Sequence, residues 1–129
     1  MSTKSFIWVS FQREGIHCYP AAGSDPALKD VEFLSYPHRH MFHFRIELQV
    51  FHDDRDVEFI LLKRELEGLY NQGTLQLNHK SCEMIANDLW EYISNTYPDR
   101  EGVIEVSEDN ENGCRIYFEA RPWSERAIV

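Results

Sequence analysis

The sequence predicts an α+β domain with the element order β-β-α-α-β-β. Three observations carry this prediction. Apolar and polar residues alternate from His40 to Val50, apolar residues recur at helical spacing in two central segments, and turn-forming residues at 109–113 separate two β-branched runs. Four antiparallel strands with two helices on one face would satisfy all three. At 129 residues, the whole chain, 1–129, is expected to form a single domain.

The first two predicted strands are separated by a loop. Residues 6–11 are rich in aromatic and β-branched side chains, which favour a strand. Residues 20–30 are mostly turn formers and are expected to form a surface loop. Beyond them, alternate side chains fall on one face, which predicts a long half-buried strand whose inner residues are Phe42, Phe44, Ile46, Leu48 and Val50.

Two helices are predicted next. The first should begin after an N-cap at Asp56 and stop before Gly73, with an apolar face formed by Phe59, Leu62, Leu66 and Leu69. The second should begin after an N-cap at Ser81 and end before Pro98, with an apolar stripe formed by Cys82, Ala86, Leu89, Trp90 and Ile93.

The last two strands, at 103–106 and 114–118, form a predicted hairpin whose loop ends at Gly113. A short open sheet leaves strand edges unpaired. Unpaired edges favour association with another copy of the chain, so we expect an oligomer.

Composition excludes several classes of protein. Lys and Arg number 13 against 22 Asp and Glu, which gives a net charge of −9. This balance argues against binding to nucleic acids or to anionic membranes. The sequence has no apolar run long enough to span a bilayer and no convincing signal peptide. Its three cysteines have no CxxC spacing, so a reduced, cytoplasmic protein is expected.

Histidines provide the first indication of chemistry. His38 and His40 are two residues apart on a predicted strand, so both imidazoles lie on the same face. His17 follows the first strand, and antiparallel pairing would bring it beside the pair. Three neutral imidazoles with a fourth position open are typical of a catalytic zinc site. His43 has the opposite parity to His40, and His52 lies in a polar turn, so both are expected to be structural or solvated.

Several motifs resemble those of the 6-pyruvoyl-tetrahydropterin synthase and 6-carboxy-5,6,7,8-tetrahydropterin synthase family. Residues 14–20 (EGIHCYP) resemble the family's E-A-A-H-x-L-P segment, and residues 38–40 (HRH) resemble its H-G-H motif. Residues 57–63 (VEFILLK) are similar to I-D-F-x-x-L-K at the start of the first helix. Residues 81–86 (SCEMIA) are similar to T-S-E-x-x-A at the start of the second helix. Residues 106–108 (VSE) are similar to the start of V-x-E-T in the closing hairpin.

The resemblance implies the tunnelling fold and a zinc ion held by His17, His38 and His40. It also implies that Glu108 anchors a pterin or purine-like ring, a role that suits a carboxylate because it accepts two parallel N–H bonds. His79 would move protons. In the family three monomers close a barrel and two barrels stack, which implies a homotrimer or a homohexamer.

The chain departs from the family pattern at two catalytic positions. Leu34 stands where the synthases have a cysteine that carries a proton, and leucine has no ionisable group. Glu32 would replace that cysteine only if the loop register shifted. Asn78 precedes His79 where the family has aspartate, and an amide supports an imidazolium less well than a carboxylate does.

Two main functional hypotheses follow. The first is a zinc-dependent, lyase-like enzyme that acts on a pterin or a related nucleotide-derived ring. The alternative is a non-catalytic paralogue that binds such a ligand or a partner. The three histidines favour the enzyme, whereas Leu34 and Asn78 favour the paralogue. A purely structural oligomer, with neither metal nor a pocket around Glu108, is a third possibility.

Overall fold

A computed structural model describes residues 2–120 of the chain. Its strands are β1 (Ser5–His17), β2 (His38–Val50), β3 (Leu75–Asn78), β4 (Gly102–Glu108) and β5 (Asn112–Phe118). Its α-helices are α1 (Phe59–Gly68) and α2 (Cys82–Thr96). The predicted surface loop instead contains two 3-10 segments, Pro20–Gly23 and Pro26–Ser35. No helix among the described residues is long and apolar enough to cross a membrane.

The sheet has the strand order β3-β1-β2-β4-β5. The α+β class is therefore confirmed, but a four-stranded antiparallel sheet was a wrong prediction. The fifth strand, β3, pairs parallel to β1, which makes the sheet mixed. The four residues of β3 (LQLN) do alternate apolar and polar side chains, but so short a run is a weak signal and the sequence analysis did not predict a strand here.

Strands β1 and β2 pair along their whole lengths in an antiparallel register from Ser5 opposite Val50 to His17 opposite His38. Strand β1 is thus longer than the predicted residues 6–11. Its second half is polar and carries a glycine, so it has little strand propensity of its own, and the neighbouring strands supply its hydrogen bonds. A Cβ at Gly15 would lie 2.8 Å from Leu77 and 2.9 Å from Phe42 side-chain atoms, so β3 approaches here only because the residue is glycine.

One face of the sheet packs against both helices. Its core includes four of the five predicted inward positions of β2, together with Leu62 and Leu66 from α1 and Ile85, Leu89 and Ile93 from α2. The fifth, Val50, is only half-buried at the end of the strand. Phe44 is only 1% exposed and stacks on Phe11 with ring centroids 4.8 Å apart. Phe59 was predicted to share this core, but it is 53% exposed, because α1 begins at that residue and turns it outward.

The two predicted helix caps have different outcomes. Ser81 caps α2 as predicted, since its hydroxyl accepts a hydrogen bond from the Met84 backbone N–H at 3.2 Å. Asp56 does not cap α1. Glu58 takes that position and accepts from the N–H groups of Ile60 and Leu61. The helix ends at Gly68, and Gly73, with φ +73°, lies in the turn before β3 rather than directly after the helix.

Asp56 joins the end of β2 to the start of β4. Its Oδ2 accepts hydrogen bonds from the Phe51 backbone N–H at 2.8 Å and from Arg100 Nη1 at 2.9 Å. Arg100 Nη1 also donates to the carbonyl of Gln49 at 2.9 Å. The hydrogen bond from Arg100, reinforced by that from Phe51, lowers the pKa of Asp56 below its ordinary value.

Asp56→Asn is expected to be less stable than wild type at neutral pH, with the difference vanishing in acid. Because the folded-state pKa is depressed, the carboxylate stabilises the fold above the unfolded-state pKa of about 3.9, and this contribution is lost as pH falls through the folded-state pKa. Urea unfolding over a pH series measures the difference. Asp54→Asn, which changes an exposed carboxylate in the same turn, is the control. A stability gap that does not depend on pH would contradict this prediction.

Candidate metal centre and adjoining cavity

Strand register brings the three predicted histidines together. His17 lies directly opposite His38 in the β1–β2 pairing, and His40 follows two residues along β2 on the same face. The ring centroid of His17 is 4.6 Å from that of His38 and 5.3 Å from that of His40. One ring nitrogen from each histidine lies within 4.8 Å of the others, so the three are close enough to hold one metal ion. The predicted juxtaposition of these histidines is confirmed.

Each of these imidazoles is oriented by an acceptor at Nδ1. His17 Nδ1 lies 2.8 Å from the carbonyl oxygen of Lys80, and His38 Nδ1 lies 2.8 Å from that of Tyr36. His40 Nδ1 lies 2.7 Å from a carboxylate oxygen of Asp109. Because a carbonyl or a carboxylate can only accept, Nδ1 carries the proton and Nε2 carries the free lone pair. This tautomer is typical of metal-binding histidines.

Asp109 is a site residue that the sequence analysis treated only as part of a turn. Its carboxylate accepts from the Met41 backbone N–H at 3.0 Å, and its own N–H donates to the Met41 carbonyl at 2.7 Å. The hydrogen bond from Met41, followed by that from His40, lowers the pKa of Asp109. Asp109 and Asn110 have φ values of +54° and +58°, a conformation that aspartate and asparagine tolerate well. A hairpin aspartate gives no sequence signal for this role, because its partner His40 is far away in the chain.

Asp109→Ala is expected to lower zinc affinity by about 10- to 100-fold, the usual effect of removing the outer partner of a metal-binding histidine. Asp109→Asn should lose less, because its amide oxygen still accepts from His40 and asparagine tolerates the positive φ. Competition titration with a chromophoric chelator measures both affinities. Equal affinities in wild type and Asp109→Ala would show that Asp109 does not support the site.

Two of the three unused nitrogens of the site are buried without a hydrogen-bond partner. His17 is 8% exposed, and the Nε2 atoms of His17 and His40 are among the few buried side-chain polar atoms, within the described residues, that make no hydrogen bond. Buried polar atoms without a partner are costly and call for an explanation, such as an ion. Imidazole nitrogens suit zinc and other divalent transition metals, so the residues present fit the predicted zinc ion.

Glu108 lies against the same nitrogens. Its Oε1 is 3.4 Å from His17 Nε2, and its Oε2 is 3.2 Å from His40 Nε2. It pairs with Phe42 in the β2–β4 register, and Phe42 shares the inner face of β2 with His40. The family resemblance implies that Glu108 binds a ring, whereas the structure places its carboxylate within contact distance of two of the three histidines.

A cavity of about 540 Å³ opens beside the histidines, within the usual size range of small-molecule sites. It lies between the start of α2, the end of β1 and the β4–β5 hairpin. The lining includes the side chains that carry the chemistry discussed here: His17, His38, His79, Glu83 and Glu108. Glu83, in the first turn of α2, is a second carboxylate in this cavity and was not singled out from the sequence.

Of the four positions discussed for catalysis, two line the cavity and two do not. Leu34 and His79 both line the cavity. Asn78 is not part of the lining, and its φ of +56° together with a backbone hydrogen bond from Cys18 N–H to its carbonyl gives it a conformational role at the end of β3. Glu32 is exposed on the second 3-10 segment and is not brought to the cavity.

Cys82, one of the two cysteines that line the cavity, is poorly suited to carry a proton. All three cysteines are free thiols. Cys82 lines the cavity but also belongs to the core, and burial raises its pKa to about 12. A thiol with so high a pKa stays protonated at neutral pH and is a poor nucleophile or base.

Comparisons with known proteins do not assign the chain to a family. No protein-family profile matches it, and a search of curated proteins also finds no match.

Proposed function

We propose that the protein is a zinc-dependent, lyase-like enzyme that acts on a pterin or a related nucleotide-derived ring. The observation that carries this proposal is the group of His17, His38 and His40, which could hold a metal ion beside a cavity large enough for such a ring. The Nε2 atoms of His17 and His40 are buried without a hydrogen-bond partner, and His17 and His38 line the cavity. The sequence motifs that resemble the 6-pyruvoyl- and 6-carboxy-tetrahydropterin synthases support the choice of ring and the tunnelling fold.

The cavity residues divide the chemistry among them. A bound zinc ion would polarise the side-chain oxygens of the substrate. His79 faces the same cavity and would accept or return a proton, with no carboxylate from Asn78 to stabilise its charged form. Leu34 contributes an apolar wall and no proton. The chain therefore retains the binding elements of a lyase site but has a weak set of acids and bases.

Two carboxylates can hold the ring. Glu108 is the one expected from the family resemblance, and Glu83 also lines the cavity from the first turn of α2. Either one can accept two parallel N–H bonds from the 2-amino-pyrimidinone edge of a pterin or a guanine. Because the Glu108 carboxylate already contacts two histidines, a ring held by Glu108 would lie directly beside the metal.

Ring binding is tested by calorimetric titration of the zinc-loaded protein with 7,8-dihydroneopterin, a dihydropterin without the triphosphate. We expect saturable binding, because neither Leu34 nor Asn78 supplies the ring contacts. Glu83→Gln and Glu108→Gln, compared at a zinc concentration that saturates both variants, identify the carboxylate that holds the ring, since an amide can no longer accept two N–H bonds. Absence of binding in the wild-type protein would contradict the proposed function.

The alternative is a non-catalytic paralogue that binds the same kind of ligand. Leu34 is the specific observation in its favour, because it lines the cavity where the resembling synthases have a cysteine. Retained zinc and ring binding, with no turnover of any dihydropterin even after the catalytic positions are restored, would decide for this alternative.

The proposed assembly is a homotrimer or a homohexamer. Within residues 2–120, β3 and β5 lie at the two edges of the sheet, and each pairs with a single strand. Such edges can continue the sheet into another copy of the chain. Light scattering at micromolar concentration should give a mass of three or six chains, whereas a monomeric mass would contradict this assembly.

A further inference from the structure

We propose that Glu108 is a fourth protein ligand of the metal ion, so that the resting centre has three histidines and one carboxylate and no open position. This inference rests on the proposed metal site and adds a ligand to it. It changes the expected chemistry, because a site with four protein ligands is closed, whereas three histidines alone leave one position for water or substrate.

The carboxylate oxygens of Glu108 lie close to the ring nitrogens of two of the histidines. In a tetrahedral site with metal–ligand bonds of about 2.0–2.2 Å, neighbouring ligand atoms lie about 3.3 Å apart. The Oε1 of Glu108 is 3.4 Å from His17 Nε2, and its Oε2 is 3.2 Å from His40 Nε2. For these two histidines, the separations are those of ligands that share one ion.

The tautomers of His17 and His40 leave two hydrogen-bond acceptors next to a third, the carboxylate of Glu108. The Nδ1 atoms of His17 and His40 face acceptors, so their Nε2 atoms carry lone pairs, and these atoms lie beside the carboxylate of Glu108. Neither Nε2 makes a hydrogen bond, even though the carboxylate oxygens lie within reach of both. Two sets of acceptors placed face to face repel each other unless a proton or a metal ion lies between them, and a divalent metal ion satisfies all of them at once.

The backbone on both sides of Glu108 fixes the residue in this position. Asp109, the next residue, is held to Met41 by two hydrogen bonds and to His40 by a third. On the other side, Glu108 is paired with Phe42 in the β-ladder. The side chain therefore leaves a rigid part of the sheet next to the histidines, as a preorganised ligand must.

A closed centre has a direct consequence for the ligand. A substrate oxygen would bind the metal only by displacing the Glu108 carboxylate or by raising the coordination number. A small anion such as azide could likewise bind the metal only by displacing that carboxylate or by raising the coordination number. The ring contact would then fall to Glu83, which leaves the carboxylate of Glu108 on the metal.

Cobalt substitution tests this inference, because the visible absorption of bound Co²⁺ reports its ligands and its coordination number. We expect an intense, four-coordinate spectrum in the wild-type protein that does not respond to azide. Glu108→Gln should bind cobalt at least about tenfold more weakly, since losing a ligand should cost at least as much as losing an outer partner. Its spectrum should change and should respond to azide.

Two further variants complete the experiment. Glu108→Asp keeps the charge but shortens the side chain, so it should lose affinity if the carboxylate binds the metal and keep it if the effect is only electrostatic. Glu105→Gln changes a carboxylate on the same strand that lies near Arg45 instead, and it should behave as wild type. Cobalt bound with equal affinity and an unchanged, azide-insensitive spectrum in Glu108→Gln would overturn this inference alone. Absence of cobalt from the wild-type protein would overturn the proposed metal site as well.

Discussion

The double variant Leu34→Cys/Asn78→Asp is expected to convert 7,8-dihydroneopterin triphosphate about 10²- to 10⁴-fold faster than the wild-type protein, the usual contribution of a positioned acid or base. The wild-type protein should convert it weakly or not at all. A cysteine at position 34 would place a thiol in the cavity that His38 and His79 also line. Aspartate at position 78 tolerates the positive φ of Asn78 and restores a carboxylate next to His79.

Discontinuous assay of the reaction products measures this gain. Leu34→Ser is the matched control, because it introduces a side chain of similar size that does not ionise near neutral pH. The prediction fails if wild-type turnover equals that of the double variant. Another residue would then act as the proton carrier, and our interpretation of Leu34 would be wrong.

Phe44→Ala is expected to lower the free energy of unfolding by about 3–5 kcal/mol, as is usual when a buried phenylalanine is truncated. Phe44 lies at the centre of β2, stacks on Phe11 and packs against Tyr70, with ring centroids 4.8 Å apart in both pairs. Its removal leaves a cavity that the rigid sheet cannot close.

Chemical denaturation measures this loss, with Phe59→Ala as the control. Phe59 is also aromatic and also contributes to the hydrophobic composition of the chain, but it is exposed at the start of α1. Its truncation should cost much less. Equal losses in the two variants would mean that the packing described here is wrong.

The strong patterns in the sequence predicted their elements well. The alternation along β2 placed Phe42, Phe44, Ile46 and Leu48 in the core, and the structure buries all four. The same parity argument put His38 and His40 on one face, and antiparallel pairing then brought His17 beside them. These predictions succeeded because each depends on a period that backbone geometry imposes on neighbouring residues.

The features that the sequence did not show depend on distant contacts. Strand β3 pairs with β1, and its four alternating residues are too few to predict a strand without that partner. Asp109 supports His40, and Glu108 approaches His17 and His40, only because the β2–β4 register aligns segments almost seventy residues apart. The N-cap of α1 was placed at Asp56 rather than at Glu58, because aspartate is the better cap in isolation, whereas Arg100 and Phe51 occupy its carboxylate in the fold.

The central claim is that His17, His38 and His40 bind a metal ion. The most direct measurement is elemental analysis of protein purified without chelators, performed on the wild type, on His38→Ala and on His43→Ala. His43 lies on the same strand but on the opposite face, so its variant controls for the loss of a β2 histidine. We expect about one zinc ion per chain in the wild type and in His43→Ala, and almost none in His38→Ala, which retains only two of the imidazole ligands. A wild-type protein without divalent metal, or equal zinc in all three proteins, would contradict the claim.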